Sequence, residues 1–268
     1  MTALPAFDYL TPDSIDDALA GIGESQIPYA GGTELVLAMR LGLTRPRTLV
    51  DLKGLGALKE VAQTDSGLEI GAAVTHHRLI EFLDAHGPYG PFRQMLMGVG
   101  NPRVRAVGTM GGNLCFAEPR SDIATLLLAL DAEVELVSAD RGTRRSALSS
   151  FMRGAYATDR ESDELMTRVL VPPPDGTRYT YLKFQTGVRP TAGVALIERQ
   201  DRTARIAVGA ACETPAVHEL TSLNRFDPEA IAESVETTSD MFGSKRFKRS
   251  IVTVLIRRAM SKLGQSHE

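Results

Sequence analysis

The amino-acid sequence predicts an α+β fold in which short strands and helices alternate irregularly. Turn signals at residues 64–67, 140–142 and 201–203 separate runs that are typical of strands. No strand-like run is followed by G-x-G-x-x-G, and residues 243–245 lack the upstream glycine of a G-x-x-x-x-G-K-[ST] loop. The sequence therefore does not predict a doubly wound parallel sheet with either of the common nucleotide-binding loops.

Hydrophobic spacing defines the elements of the first half. Apolar residues at positions 15, 18, 19 and 22 recur at helical spacing, which predicts a helix over residues 13–23. We expect Thr33 to cap a helix over residues 34–41. Further helices are expected over residues 76–85 and 91–98, and strands over residues 27–30, 48–52, 58–63 and 68–72.

The second half contains one long apolar helix and two groups of strands. Residues 122–130 predict the helix, and strands are expected over residues 133–138, 165–171, 179–186, 193–200 and 205–211. Helices over residues 228–237 and 244–263 end the chain. Three consecutive prolines at 172–174 cannot lie inside a sheet. We therefore expect a domain boundary there, with one domain over residues 1–174 and a second over residues 175–268.

Composition excludes several classes of protein. The 268 residues are 43% hydrophobic and 24% charged, as in globular proteins, and the net charge of −3 offers no attraction to nucleic acid. The N-terminal residues lack a basic start followed by an apolar run, and no apolar stretch approaches about 18 residues. We expect a cytoplasmic protein without nucleic-acid binding or membrane insertion.

Cysteine and histidine usage argues against a metal centre on this chain. Cys115 and Cys212 are the only cysteines, so the chain cannot supply an all-cysteine iron–sulfur or zinc site. His76 and His77 are adjacent and point in different directions on a regular element. We interpret them as polar residues at a helix start rather than as metal ligands, and we expect no metal site.

Two glycine-centred segments are the most informative feature of the sequence. The first is A-G-G-T-E over residues 30–34, and the second is G-T-M-G-G-N over residues 108–113. Paired glycines allow positive φ and let an anion approach main-chain N–H groups. One such segment is also typical of an ordinary turn. Because two occur, and S-D at 121–122 follows the second, they predict a diphosphate held from both sides, as in a bound dinucleotide.

These segments and their neighbours together resemble one family. V-R-A-V-G-T-M-G-G-N at 104–113, P-R-S-D at 119–122 and L-L-A-L-D-A at 127–132 are similar to the motifs of FAD-binding medium subunits of molybdenum hydroxylases. That family includes carbon monoxide dehydrogenase and xanthine dehydrogenase. A-G-G-T-E at 30–34, I-G-A-A-V-T at 70–75 and the basic helix at 247–259 extend the resemblance over nearly the whole chain.

The resemblance implies a particular form of the α+β fold. It implies a p-cresol methylhydroxylase-type (PCMH-type) FAD-binding domain of two α/β subdomains, over residues 1–56 and 57–174. A C-terminal antiparallel sheet with helices, similar to the last domain of the carbon monoxide dehydrogenase flavoprotein, would follow over residues 175–268.

The resemblance also assigns residues to the diphosphate. The FAD diphosphate would be clamped by backbone N–H groups and by the side chains of Thr33, Thr109 and Asn113. The residues of this clamp are Ala30, Gly31, Gly32, Thr33, Glu34, Thr109, Gly111, Gly112 and Asn113.

Other residues would surround the rest of the cofactor. Val99 and Gly100 would lie beside the flavin or adenine portion, and Met166 would border the isoalloxazine ring. Ser121 and Asp122 would hydrogen-bond ribityl or ribose hydroxyls, and Lys183 would place a cation near the pyrimidine edge of the flavin. Without the resemblance, Asp122 is interpreted as a helix N-cap, a role compatible with cofactor binding, and Ser121 is equally a simple turn residue. For Lys183 the preferred interpretation is then an exposed strand lysine.

The implied function is electron transfer without a catalytic acid, base or nucleophile on this chain. Electrons would pass from a molybdenum-pterin cofactor on a large subunit, through two [2Fe–2S] clusters on a small subunit, to FAD here. The acceptor would be NAD⁺, oxygen, a quinone or another carrier, and the assembly a dimer of heterotrimers. The loop after Lys183 departs from the family pattern, which leaves the acceptor open. The alternatives are a stand-alone PCMH-type flavin oxidoreductase and a scaffold subunit without flavin.

Overall fold

Three sheets and one short ribbon follow one another in the computed structural model, which describes residues 4–85, 87–174, 176–223 and 225–264. The first is a parallel sheet in the order β1–β3–β2. Its strands are β1 (Asp8–Leu10), β2 (Gln26–Tyr29) and β3 (Thr48–Asp51). Helices α1 (Ile15–Gly21) and α2 (Leu35–Arg40) connect them.

The start of α2 differs from the prediction. The predicted Thr33 cap is wrong, because the residue at the cap position is Glu34, and its side chain makes no capping hydrogen bond. Gly32 has a φ of +67°, and its carbonyl accepts from the Val36 N–H over 3.0 Å. The positive φ turns the chain at the glycine, so Thr33 already lies inside the turn.

An antiparallel sheet of five strands forms the middle of the chain, in the order β4–β5–β10–β6–β7. The strands are β4 (Val61–Thr64), β5 (Gly67–Gly71), β6 (Glu133–Ser138), β7 (Gly142–Ala147) and β10 (Glu164–Val171). The predicted strand over residues 58–63 begins only at Val61, since Gly56–Lys59 is a 3₁₀ turn. The predicted hairpin turns at 64–67 and 140–142 are confirmed.

The helices between these strands include three that we did not predict. The group comprises α3 (His76–Phe82), α4 (Gly90–Met97), α5 (Pro102–Val107), α6 (Met110–Phe116), α7 (Asp122–Ala129) and α8 (Leu148–Phe151). The ribbon of β8 (Met152–Gly154) and β9 (Ala157–Thr158) follows α8. The second glycine segment is therefore not a loop, because Thr109 caps α6 and the two glycines lie in its first turn.

A four-stranded antiparallel meander and two helices complete the fold. The strands are β11 (Arg178–Gln185), β12 (Pro190–Glu198), β13 (Ala204–Gly209) and β14 (Ala216–Leu220). The helices are α9 (Pro228–Ser234) and α10 (Lys245–Gly264). Strand β12 is buried along its whole length, since α7 and α10 both contact it.

The core around α7 is shared between the second and third sheets. Leu126 and Leu127 of α7 are fully buried, and their cluster includes Ala195 and Ile197 of β12. Residue 174 thus lies in the chain between the strands of the second sheet and those of the third. Apolar contacts nevertheless join the two sheets. The division into two domains stays a prediction. In the described ranges no helix is both long and apolar enough to cross a bilayer.

Candidate functional site

A cavity of about 310 Å³ lies between the first sheet, the middle sheet and the segment that precedes β12. Its volume falls within the range of small-molecule sites, about 300–1,000 Å³. The cavity brings together every predicted site residue except Lys183. They are Ala30, Gly31, Gly32, Thr33, Glu34, Val99, Gly100, Thr109, Gly111, Gly112, Asn113, Ser121, Asp122 and Met166.

The first glycine segment presents free backbone donors to this cavity. Within the described ranges, none of the N–H groups of residues 31–35 makes a hydrogen bond. Gly31 packs so closely that a Cβ would lie 2.1 Å from the Val107 carbonyl oxygen. Consecutive N–H groups without partners form a concave site for an anion. The segment is therefore suited to a diphosphate.

The second glycine segment is built differently. The N–H of Met110 bonds to the Val74 carbonyl over 3.0 Å, and that of Gly111 bonds to the Ala72 carbonyl over 2.8 Å. The Thr109 hydroxyl accepts from the Gly112 N–H over 3.2 Å. Since these donors are occupied, the predicted backbone clamp depends on residues 31–35. The second segment contributes its side chains, and its glycines allow its backbone to lie close to the floor of the cavity.

Asn113, Ser121 and Asp122 form one hydrogen-bonded wall. The Ser121 hydroxyl donates to Asn113 Oδ1 over 2.6 Å and accepts from the Ala124 N–H over 3.0 Å. Ser121 is therefore the cap of α7, and the alternative that Asp122 is the cap is wrong. Because Ser121 caps α7, this wall lies at the N-terminus of the helix, where the helix dipole favours negative charge.

Lys183 lies next to the cavity lining rather than in it. Its Nζ donates to Asp122 Oδ2 over 2.8 Å and to the Gly98 carbonyl over 2.7 Å. Its side chain is 18% exposed, so the alternative of an exposed strand lysine is wrong.

The second oxygen of the Asp122 carboxyl accepts from the Tyr181 hydroxyl over 2.5 Å. Burial raises the pKa of Asp122 above its ordinary value, although the Lys183 ammonium acts in the opposite direction. Burial also raises the pKa of Tyr181 well above its ordinary value. Lys183, Asp122 and Tyr181 thus form a charged and hydrogen-bonded unit below the cavity wall.

A charge cluster at the cavity rim was not predicted from the sequence. Arg189 Nη2 lies 2.7 Å from Glu34 Oε2, and Arg189 Nη1 lies 2.7 Å from Glu118 Oε2. Arg120 and the Tyr156 hydroxyl also donate to Glu118, over 3.1 and 2.9 Å. The departure of the loop after Lys183 from the family pattern marks this segment as unusual. Nothing in the sequence pairs Arg189 with Glu34.

His76 and Glu164 are among the other titratable residues that line the cavity. His76 begins α3, as predicted, and burial together with the nearby Arg105 lowers its pKa to about 4. The hydrogen bond from the Arg144 guanidinium lowers the pKa of Glu164. Among the described residues no cluster of three or more histidine, cysteine, aspartate and glutamate side chains is arranged to hold a metal ion.

Comparison with known proteins decides the family. Residues 5–174 match the family described as the FAD binding domain in molybdopterin dehydrogenase. The chain belongs to the FAD-binding medium subunits of the molybdenum hydroxylase family. It is therefore part of an oxidoreductase, and FAD is its cofactor, as the sequence resemblance predicted.

The similarity to individual members of this family extends over nearly the whole chain. The chain is 31% identical to the carbon monoxide dehydrogenase medium chain of Afipia carboxidovorans, covering 96% of both chains. It is 28% identical to the nicotine 6-hydroxylase medium subunit of Paenarthrobacter nicotinovorans, covering 97% of this chain and 98% of the relative. The reconstituted CO dehydrogenase from Oligotropha carboxidovorans contains a chain with 29% identity and a TM-score of 0.90, covering 98% and 99%. The predicted α+β fold is confirmed.

Proposed function

We propose that this medium subunit takes electrons from [2Fe–2S] clusters of a small partner subunit and passes them through FAD to an external acceptor. The observation that carries the proposal is the cavity with five free N–H donors at residues 31–35. The chain has no cysteine set for a cluster of its own. Burial raises the pKa of Cys115 and of Cys212 to about 11, which keeps both thiols protonated at neutral pH. The clusters therefore belong to another chain.

The residues of the cavity fit FAD. The N–H groups of residues 31–35 would hold the diphosphate, with the Thr33 hydroxyl and the Asn113 side-chain amide beside it. The side chains of Val99 and Met166 supply apolar surface for the isoalloxazine ring. FAD contributes the electron-transfer chemistry, and the protein sets its position and its electrostatic surroundings.

The Lys183–Asp122 pair would set the charge next to the ring. A lone lysine ammonium would favour added negative charge on the flavin. Here the 2.8 Å contact with Asp122 offsets much of that field, because the carboxylate lies as close to the ammonium as a hydrogen bond allows. Lys183 would thus act as an oriented, partly neutralised cation held by Asp122 and by the Gly98 carbonyl.

The assembly that we propose contains three kinds of chain. A large subunit would hold the molybdenum-pterin cofactor and select the organic substrate, while the small subunit would hold the two [2Fe–2S] clusters. Two such heterotrimers would form the complete complex. The family of the chain and its lack of cluster ligands support this division of roles.

The test is anaerobic electron transfer between separate subunits. The FAD-loaded chain is mixed with the dithionite-reduced small subunit after removal of free dithionite, and the flavin absorbance is followed. We expect the flavin to be reduced at a rate that rises with the concentration of the small subunit. Flavin that stays oxidised would contradict the proposal. Turnover of an organic substrate by this chain alone would favour the stand-alone oxidoreductase, and a folded chain that takes up no FAD would favour the scaffold.

A further inference from the structure

We propose that Arg189 is a positioning residue for FAD. Its guanidinium cancels the charge of the Glu34 carboxylate, so that the segment over residues 31–35 can accept the diphosphate. The inference rests on the proposed function, since it takes the free N–H groups of that segment as the donors to the diphosphate.

Glu34 places a negative charge inside the segment that would hold an anion. Its own N–H is one of the free donors of residues 31–35, and the residue lines the cavity with a side chain that is 24% exposed. The carboxylate can lie no further from that N–H than its short side chain reaches. The phosphates of FAD are anionic too, and like charges repel more strongly where little water lies between them. Without a counter-charge, Glu34 would therefore oppose the ligand that its own backbone attracts.

Arg189 supplies this counter-charge. Its Nη2 donates to both carboxylate oxygens of Glu34, over 2.9 Å to Oε1 and over 2.7 Å to Oε2. The Arg189 side chain is only 28% exposed, so the pair is shielded from much of the solvent. In the described part of the chain, no second lysine, arginine or histidine forms an ion pair with Glu34. The neutralisation of Glu34 thus depends on one guanidinium.

Glu118, the other carboxylate that Arg189 contacts, has further donors. Arg189 Nη1 lies 2.7 Å from Glu118 Oε2. Glu118 also accepts from Arg120 Nε over 3.1 Å and from the Tyr156 hydroxyl over 2.9 Å. Loss of Arg189 would therefore leave Glu118 with a cation and a hydroxyl, whereas Glu34 would keep neither.

The remaining acidic residues of the cavity lining have cations of their own. Lys183 Nζ lies 2.8 Å from Asp122 Oδ2, and Arg144 Nε lies 2.6 Å from Glu164 Oε1. Arg189 takes part in neither pair. Its removal thus adds an uncompensated negative charge at one defined place, beside the donors of residues 31–35.

The test compares FAD with riboflavin, which has the same isoalloxazine ring and no phosphate. Each flavin is titrated into the chain after removal of bound flavin, and the dissociation constant is obtained from flavin fluorescence. The variants are Arg189→Gln, Glu34→Gln and the double variant. Arg202→Gln is the matched control, because it removes the same charge from a side chain that is 67% exposed and lies outside the cavity lining.

Arg189→Gln should weaken FAD binding at least tenfold and riboflavin binding less than about twofold, because only FAD brings phosphates to the uncompensated Glu34. The double variant should regain FAD affinity to within about threefold of the wild type. Glu34→Gln alone should tighten FAD binding, since it removes a negative charge and leaves that of Arg189. Arg202→Gln should bind both flavins as the wild type does.

The outcomes separate this inference from a structural role of Arg189 and from the proposed function. If Arg189→Gln weakens both flavins alike and the double variant regains nothing, Arg189 only holds its loop in place and the inference is refuted. Unchanged FAD affinity in a folded Arg189→Gln protein refutes it as well. If the double variant regains FAD affinity but the small subunit does not reduce the flavin of the wild type, the proposed function fails while the role of Arg189 stands.

Discussion

Arg189 and Glu34 are 155 positions apart, yet their side chains pair at the rim of the cavity, with Nη2 2.7 Å from Oε2. The same guanidinium contacts Glu118 over 2.7 Å. One side chain next to β12 thus connects the glycine segment, the turn between α6 and α7, and the C-terminal sheet. All three of these residues line the cavity.

Replacement of Arg189 by glutamine tests this connection. Glu118 has only 8% of its side chain exposed, so the change leaves a buried carboxylate with fewer donors. We expect Arg189→Gln to lower the free energy of unfolding by about 1–3 kcal/mol, measured by urea denaturation. The control is Arg202→Gln, because Arg202 is 67% exposed and pairs with Glu198 over 3.4 Å. The control should change stability by less than about 0.5 kcal/mol. Equal effects of the two variants would contradict the account.

Gly31 is predicted to tolerate no side chain. A Cβ there would lie 2.1 Å from the Val107 carbonyl oxygen, so the glycine segment would have to move away from α5. Gly31→Ala should therefore weaken FAD binding at least tenfold, measured by equilibrium titration of flavin fluorescence. At Gly56 an added Cβ meets nothing within 4 Å, so Gly56→Ala is the control and should bind FAD as the wild type does. A folded Gly31→Ala protein with unchanged affinity would refute the role of this segment.

His76 should make the protein sensitive to acid. Its pKa is about 4 in the folded chain against about 6.5 in the unfolded chain, so the unfolded state binds the proton first. The contribution of neutral His76 to the free energy of unfolding is therefore fully present above pH 6.5. It is lost as the pH falls towards 4, by about 3 kcal/mol in total. We expect His76→Gln to flatten this part of the stability profile, measured by urea denaturation between pH 7 and pH 5. His77→Gln is the matched control, because the His77 side chain is 60% exposed. A wild-type slope in His76→Gln would contradict the prediction.

Glu164 should add a second acid-sensitive step at lower pH. The Arg144 guanidinium holds the pKa of Glu164 below its ordinary value, through contacts of 2.6 and 2.7 Å. This stability is present above the pKa of the unfolded carboxyl and is lost as the pH falls through the lower, folded value. Glu164→Gln should destabilise the protein at pH 7 and lessen the loss between pH 5 and pH 4. Glu69→Gln, which breaks a longer 3.6 Å contact with Arg168, should leave that loss unchanged. If the Glu164→Gln protein loses as much stability between pH 5 and pH 4 as the wild type does, the Arg144 contact does not act as described.

The sequence predicted the parts of the fold that depend on local patterns. The hairpins at 64–67 and 140–142 and the apolar helix α7 carry their signals within a few residues. Helix α6 was missed because adjacent glycines have low helix propensity. It forms because Thr109 caps it and because Gly111 packs against Ala72, where a Cβ would lie 2.6 Å from that of Ala72.

The site residues that belong to sequence motifs could be predicted. The contacts between segments that are distant in the sequence could not. The residues of the two glycine segments gather at one cavity. By contrast, the pairing of Arg189 with Glu34 depends on the packing of the C-terminal sheet, which no local pattern encodes. Strands β1 and β14 were also missed. All three residues of β1 are exposed and the strand shows no alternation, while no residue of β14 is fully buried.

The most direct test of the central claim is an FAD titration followed by amide NMR shifts of this chain. We predict that the amides of residues 31–35 shift in step with one FAD bound per chain, because their free N–H groups take the diphosphate. The amides of Met110 and Gly111 already bond inside the chain and should shift much less. Binding of FAD without any change at residues 31–35 would contradict the account.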